Sequence, residues 1–136
     1  ILTKEEDGWR DDETIRRNNG CYITDKTIFA ENGFYETSDE RKKTFLEDIP
    51  VDFELLKAIP KKYFLWKDSE NDEFQIGTSA QVIRNIYPEI VNDSPNGLSV
   101  AYDKLAIIAL AAIDKLKAEN EELKVRIEKI EKNITD

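Results

Sequence analysis

The clearest pattern in the chain is a heptad repeat of apolar positions near its C-terminal end. Spacings of three and four residues alternate through Ile113, Leu116, Asn120, Leu123, Ile127, Ile130 and Ile134. In this register Ile113 and Asn120 take position a, Leu116 takes position d, and the phase extends back to Tyr102. The repeat predicts one long helix over residues 101–136.

Charges beside the apolar stripe indicate how such helices associate. Glu119 at g and Lys124 at the next e are oppositely charged, and Arg126 and Glu131 repeat the arrangement. Pairs of this kind meet across chains in a parallel, in-register coiled coil, and Asn120 at position a fixes the register. Parallel self-association is therefore favoured over a helix packed only on its own domain. Isoleucine at a permits three strands and leucine at d suits two, so the pattern leaves the number open.

Residues 38–100 mix short helical and strand patterns, which predicts a small α+β domain. Helices are predicted at 39–46, 51–59 and 80–87. Strands are predicted at 63–66, 74–77 and 98–100, with a hairpin loop over 67–72. Thr37 and Glu40 stand at capping-box spacing, so Thr37 is the expected N-cap of the first helix. The aromatic residues Tyr63, Phe64, Trp66 and Phe74 are expected to be core residues.

Residues 1–37 are polar and rich in acids, and the turn signals at 18–20 and 31–33 interrupt them. Short β-type runs occur at 21–23, 27–29 and 34–35. Because this stretch cannot bury a core alone, we expect it to end a β-rich structure whose body lies upstream. The sequence opens on Ile1, which also suggests a piece of a longer protein.

Composition excludes several classes of function. The net charge is −9 and the basic residues are interspersed with acids, which argues against a nucleic-acid-binding face. The chain has no histidine, so Ser-His-Asp triads and imidazole-based zinc sites are excluded. Cys21 is alone and provides neither an internal disulfide nor a thiolate cage. We expect no metal and no cofactor.

No apolar run approaches the length of a membrane span, and no signal peptide is visible. The expectation is a soluble chain made in a cytoplasm. Charged residues make up 36%, well above the usual quarter, and a long exposed helix accounts for the excess.

Without histidine, a serine nucleophile must take its base from elsewhere, and a lysine five residues after Ser38 is a candidate. A lysine acts as a base only when it is desolvated or lies beside other cations, which Arg41 and Lys42 would supply. Ser38 would then precede the helix, and Lys43 would reach back to it. Judged from the residues alone, a helix cap in a solvated basic run is the commoner arrangement.

Five short motifs follow one another along the chain. They are Ser38-Asp39-x-Arg41-x-Lys43, Tyr63-x-x-Trp66-Lys67-Asp68, Ile76-Gly77-x-x-Ala80-Gln81, Tyr87-Pro88-Glu89-Ile90-Val91 and Leu98-Ser99-Val100-x-Tyr102-x-x-Leu105. In this order they resemble the self-cleaving intramolecular chaperone domains at the C-termini of phage tail spikes, tail fibres, neck appendages and endosialidases. The resemblance extends from Ser38 to about Glu122. Each motif is weak alone, and the ordered set is specific.

The resemblance implies a serine peptidase that cuts itself once, with Ser38 as nucleophile, Lys43 as base and Thr37–Ser38 as the cleaved bond. It implies supporting roles for Asp39, Arg41, Gly77 and Gln81. It also implies a homotrimer whose further partner is the upstream β-structure of the same polypeptide. Assembly would take place in the host cytoplasm, and the domain would leave the virion tail protein after cleavage.

The implied division is 1–37 for the upstream segment, 38–100 for the chaperone and 101–136 for the trimerisation helix. One departure from the family pattern is Gln75, where many members carry a histidine, and Thr78 and Ser79 replace residues that are more often apolar.

The main alternative is a non-catalytic registration module in which Ser38 is a helix cap. A receptor-binding tip that stays on the fibre is a further one.

Overall fold

The computed structural model describes residues 31–67, 70, 72–95 and 97–135, together with the backbone of four strands within residues 3–24. The chain divides into two compact units, residues 1–45 and residues 46–136.

The first unit contains two short antiparallel hairpins. Strand β1 (Thr3–Glu5) pairs with β2 (Gly8–Arg10), and β3 (Ile15–Asn18) pairs with β4 (Cys21–Thr24). The strand predicted at 21–23 is therefore confirmed, and the one predicted at 27–29 lies outside the described residues. The strand predicted at 34–35 is wrong, because both residues lie in irregular backbone with their side chains in solvent.

The helix predicted at 39–46 is also wrong, since a single 3-10 turn over Glu40–Lys42 takes its place. Asp39, not Thr37, is the N-cap, and its side chain accepts a hydrogen bond from the Arg41 N–H. Phe45 and Leu46 are exposed, so a longer helix would have no buried face. Short helices depend on such packing, which explains why this one ends after a turn.

The second unit begins with α1 (Phe53–Ala58). Asp52 caps its first turn by accepting hydrogen bonds from the N–H groups of residues 54 and 55. At the other end, Lys61 Nζ donates to the carbonyl oxygens of Leu56 and Ile59 at 2.8 and 2.6 Å. These caps confirm the predicted helix at 51–59, with slightly tighter bounds.

Two further antiparallel hairpins follow. Strand β5 (Lys62–Phe64) pairs with β6 (Gln75–Gly77), and β7 (Val91–Ser94) pairs with β8 (Gly97–Val100). The three predicted strands are confirmed, although Leu65 and Trp66 lie beyond the end of β5. Strand β7 was not predicted, because the polar run in its second half lacks a strand pattern. The predicted loop at 67–72 is only partly within the described residues.

Helix α2 (Ala80–Ile86) begins after Ser79, whose side chain accepts from the Val82 N–H. A 3-10 turn (Pro88–Ile90) ends it, which confirms the helix predicted at 80–87 within a residue. Helix α3 (Tyr102–Thr135) is 34 residues long. Short antiparallel strands with a long final helix confirm the α+β class. Among the described residues, no helix has both the length and the apolar character of a membrane span.

The core of the second unit is small and consists of Ile59, Ile83, Tyr87, Ile90 and Ile108. Helix α3 joins it through the face that carries Leu105 and Ile108, and Ala101, just before the helix, packs on the same core. Lys115 ends this contact: its Nζ donates to the Val51 carbonyl oxygen at 2.7 Å and lies 4.9 Å from the centre of the Phe53 ring. From Ile113 to Thr135 every residue of α3 is exposed.

Tyr87 links the core to the segment that leads into α1, because its hydroxyl donates to the Pro50 carbonyl oxygen at 2.9 Å. Burial raises the pKa of Tyr87, and the negative charges of Glu89 and Asp52 raise it further. A pKa that is higher in the folded than in the unfolded state stabilises the fold below the unfolded value, near 10. This contribution is lost as pH rises through the folded pKa.

We therefore expect Tyr87→Phe to lower the free energy of unfolding by about 1 kcal/mol at pH 7, the usual net value of one hydrogen bond. We also expect the variant to lose less stability than wild type between pH 9 and pH 11. Urea unfolding followed by circular dichroism measures both effects. Tyr63→Phe is the matched control, since Tyr63 is 76% exposed. Equal alkaline loss in Tyr87→Phe and wild type would contradict the assignment.

Candidate active site

The first unit brings a hydroxyl and an amine together around the 3-10 turn. Lys43 Nζ donates a hydrogen bond to Ser38 Oγ, with the two atoms 2.5 Å apart. Residues five apart lie on different faces of a continuous α-helix. Here they meet because only three residues are helical and Lys43 follows them in extended backbone, with φ −122° and ψ 151°.

An ion pair holds the turn between these two residues. Arg41 donates from Nε to Asp39 Oδ1 at 3.0 Å and from Nη2 to Asp39 Oδ2 at 2.6 Å. The hydrogen bonds from the Arg41 side chain and backbone lower the pKa of Asp39, and the same pairing raises the pKa of Arg41. An exposed ion pair adds little to stability. The pair spans the turn that separates Ser38 from Lys43, together with the Asp39 cap on the Arg41 N–H.

The pairing also changes the electrostatics that the sequence suggested. Arg41 was expected to act on Lys43 as an additional cation, but its charge is partly compensated by Asp39. Lys42 is the other cation of the turn.

Ser38 and Lys43 are both exposed in the single chain. A lysine amine acts as a base only after it loses its proton, and removal from water is the usual way to favour that loss. One chain therefore places the two side chains within hydrogen-bonding distance while both remain exposed to solvent.

Two of the other motif residues lie in the second unit. Gly77 ends β6, and a Cβ added there would lie 2.7 Å from Phe64 Cε1 and 3.2 Å from the Tyr102 hydroxyl. The glycine is therefore required by the close approach of these rings. Gln81 lies exposed in the first turn of α2, and Gln75 is half-buried on β6 opposite Phe64. The structure thus gathers Ser38, Asp39, Arg41 and Lys43 in one turn, with Gly77 and Gln81 in the other unit.

The hairpin aromatics are not core residues in the single chain, with one exception. Phe64 is half-buried and packs edge-on against Trp66, with ring centres 5.0 Å apart. Tyr63, Trp66 and Phe74 are each at least two-thirds exposed. The expectation of a buried aromatic cluster is therefore wrong for these three residues.

The heptad residues form a second uncovered apolar surface. The isoleucine and leucine side chains of the repeat are each more than half exposed: Ile113, Leu116, Leu123, Ile127 and Ile130. Asn120, which lies among them, is exposed as well. Apolar stripes of this length on monomeric proteins are unusual and mark interaction surfaces. The stripe is the face of α3 that the periodicity singled out.

An apolar groove in the second unit was not predicted from the sequence. It has a volume of about 660 Å³ and lies between the end of α1, the β5–β6 hairpin and the first four turns of α3. Residues of its walls include Leu56, Tyr63, Ile76, Leu105, Ala109 and Ile113. No short-range pattern could have revealed it, because its walls come from segments up to 57 residues apart, from Leu56 to Ile113.

Metal-binding chemistry has no support in the part of the chain that the structure describes. There, no three histidine, cysteine, aspartate or glutamate side chains converge as ligands.

Comparison with known proteins gives one match. Residues 38–92 match the model of a peptidase family described as "Chaperone of endosialidase". The matched segment begins at Ser38 and covers fewer than half of the 136 residues. It supports the chaperone-domain family suggested by the motifs. No curated protein and no solved structure matches the chain significantly.

Proposed function

We propose that this chain is an intramolecular chaperone that holds three copies of an upstream β-structured phage tail spike or fibre in register and then releases itself. Release occurs by autoproteolysis between Thr37 and Ser38. The observation that carries the proposal is the 2.5 Å hydrogen bond between Lys43 Nζ and Ser38 Oγ. It lies at the first residue of the segment that matches the chaperone family.

The reaction is an acyl transfer followed by hydrolysis. Lys43, as the free amine, accepts the hydroxyl proton while Ser38 Oγ attacks the Thr37 carbonyl carbon. The Thr37–Ser38 amide bond breaks, and the proton passes to the departing amine of Ser38. Water then hydrolyses the ester, which leaves a carboxylate on Thr37 and a hydroxyl on Ser38. One water is consumed, and each chain reacts once.

A cleavage that waits for assembly fits the exposure of Ser38 and Lys43 in a single chain. A lysine acts as a base when its amine is removed from water. When neighbouring copies cover the turn, the amine loses water and becomes a base. Cutting before the fibre has folded is thereby avoided.

Registration is the task of the exposed stripe on α3. A parallel three-stranded coil brings three upstream segments together, which raises their effective concentration and offsets part of the entropy lost in long-range β pairing. Cleavage then removes the helper from a folded product that unfolds slowly. The assembly takes place in the host cytoplasm, and the product joins the virion tail.

A non-catalytic registration module is the second candidate, and the exposure of Ser38 and Lys43 favours it. In that case Gln75, in place of the usual histidine, marks a site that has lost its activity. The helix-cap role once considered for Ser38 is contradicted, because Asp39 is the cap. No observation favours a receptor-binding tip.

The test is the intact mass of the purified chain after assembly, beside that of Ser38→Ala. We expect wild type to yield a fragment that begins at Ser38, whereas the variant keeps its full mass and still forms a trimer by light scattering. A full-length mass in both, with the trimer present, would leave the non-catalytic module. A wild-type chain that stays monomeric would overturn the chaperone assignment.

A further inference from the structure

Helix α3 uses two faces in its first four turns. The face at heptad positions g and c, which carries Leu105, Ile108 and Lys115, packs on its own domain. The a and d positions form the exposed stripe. A third face, at positions e and b, flanks the stripe on the side opposite the domain.

That third face is apolar at a single level of the helix. Ile107 at b and Leu110 at e are 55% and 59% exposed. Every other described b or e residue of α3 is polar or charged: Asp103, Asp114, Lys117, Glu121, Lys124, Glu128, Glu131 and Thr135. The apolar pair therefore lies in the same part of α3, between Tyr102 and Ile113, that lines the groove.

The register of a parallel coiled coil predicts which residues of the neighbouring copy contact Ile107 and Leu110. A residue at g faces the residue five positions later, at e, on the neighbouring helix. Leu105 is at g and lines the groove, so Leu110 of the next copy arrives beside it. Ile107, one turn earlier and farther from the coil axis, then faces the hairpin residues Tyr63 and Ile76, which line the same groove.

We propose that the groove beside α3 is the seat for Ile107 and Leu110 of the adjacent copy. Each of three copies would give its pair to one neighbour and receive the pair of the other, which closes the ring. The proposal rests on the parallel trimer of the proposed function and adds a contact outside the a and d stripe. It makes the β5–β6 hairpin part of the assembly interface and covers the exposed Tyr63 and Ile76.

A second copy fits the observations better than another partner does. The same helix that lines the groove carries oppositely charged g and e residues in matched order, Glu119 with Lys124 and Arg126 with Glu131. Within one chain Lys124 instead reaches Glu121 at 3.4 Å, a weak exposed contact. The groove wall continues through Ala109 and Ile113 into the stripe, so one docking event covers both surfaces.

Cross-linking between two distinguishable chains tests the contact. One chain carries Leu110→Cys and the other, of different length, carries Tyr63→Cys, both with Cys21→Ser. Both positions follow the Thr37–Ser38 bond, so self-cleavage does not separate them from the readout. A short bismaleimide linker is added to co-assembled protein, and mixed products are measured on a denaturing gel.

We expect mixed cross-links several-fold above those of the control pair Val125→Cys with Tyr63→Cys, since Val125 lies at the outer f position and is also exposed. Trimers by light scattering with cross-links at the control level would overturn the inference and leave the proposed function intact. If the Cys21→Ser protein without added cysteines forms no trimers, the proposed assembly is overturned and the inference with it.

Discussion

Replacement of Lys43 by methionine is expected to stop cleavage of the Thr37–Ser38 bond while the trimer still forms. Methionine removes the amine that lies 2.5 Å from Ser38 Oγ. Without it, Ser38 Oγ loses the hydrogen-bonded amine that is proposed to accept its proton. A positioned general base contributes typically 10²- to 10⁴-fold, so we expect the cleavage rate to fall by at least about a hundredfold. Intact mass, followed over time after refolding, measures the rate.

Two further variants separate basicity from charge. Lys43→Arg keeps a positive charge and hydrogen-bond donors but cannot give up a proton, so we expect it to be as inactive as methionine. Lys42→Met removes the neighbouring charge and is expected to cleave at a rate within a few-fold of wild type. Cleavage by Lys43→Arg at the wild-type rate would show that Lys43 acts only through its charge.

The second large effect is expected from Ile127→Asp, which places carboxylates at one level of the coil axis. Buried charges without partners cost several kcal/mol each, so we expect the trimer to be lost at micromolar concentration. Cleavage should be lost too, because the Ser38–Lys43 pair would stay uncovered. Light scattering and intact mass on the same sample report both.

Val125→Asp is the matched control for this change. Val125 is 48% exposed and Ile127 is 53% exposed, and the residues are two positions apart on the same helix. Only Ile127 lies on the stripe, so Val125→Asp should assemble and cleave normally. A trimer that survives Ile127→Asp would show that the stripe is not the interface. A monomer of that variant that cleaves would show that assembly does not control the chemistry.

Much of the secondary structure could be predicted because its signals are local. Aspartate and serine caps, prolines at helix boundaries and the heptad repeat lie within a few residues of the elements they define. The helix expected at 39–46 fails because Phe45 and Leu46 find no buried face, which no local pattern reveals. The burial expected for Tyr63, Trp66 and Phe74 fails because their side chains remain at least two-thirds exposed, and an aromatic run does not reveal which face of a hairpin is covered.

Part of the candidate site could likewise be predicted from local sequence, and part could not. A serine and a lysine five residues apart could be noticed in the sequence, and their hydrogen bond depends on a turn of only three residues. That turn length, and the pairing of Arg41 with Asp39 that spans it, could not be predicted from residue types. The groove could not be predicted at all, because packing between distant segments creates it.

The position of α3 in chain order has a consequence for biosynthesis. A ribosome makes the segment before Thr37 first and the stripe from Ile113 to Ile134 later, at about 5–20 residues per second. Three chains of the proposed trimer can therefore join only after each has been translated through that helix. A chain cut short by premature termination keeps its upstream strands but lacks the helix, so we expect it to be left out of the proposed trimer.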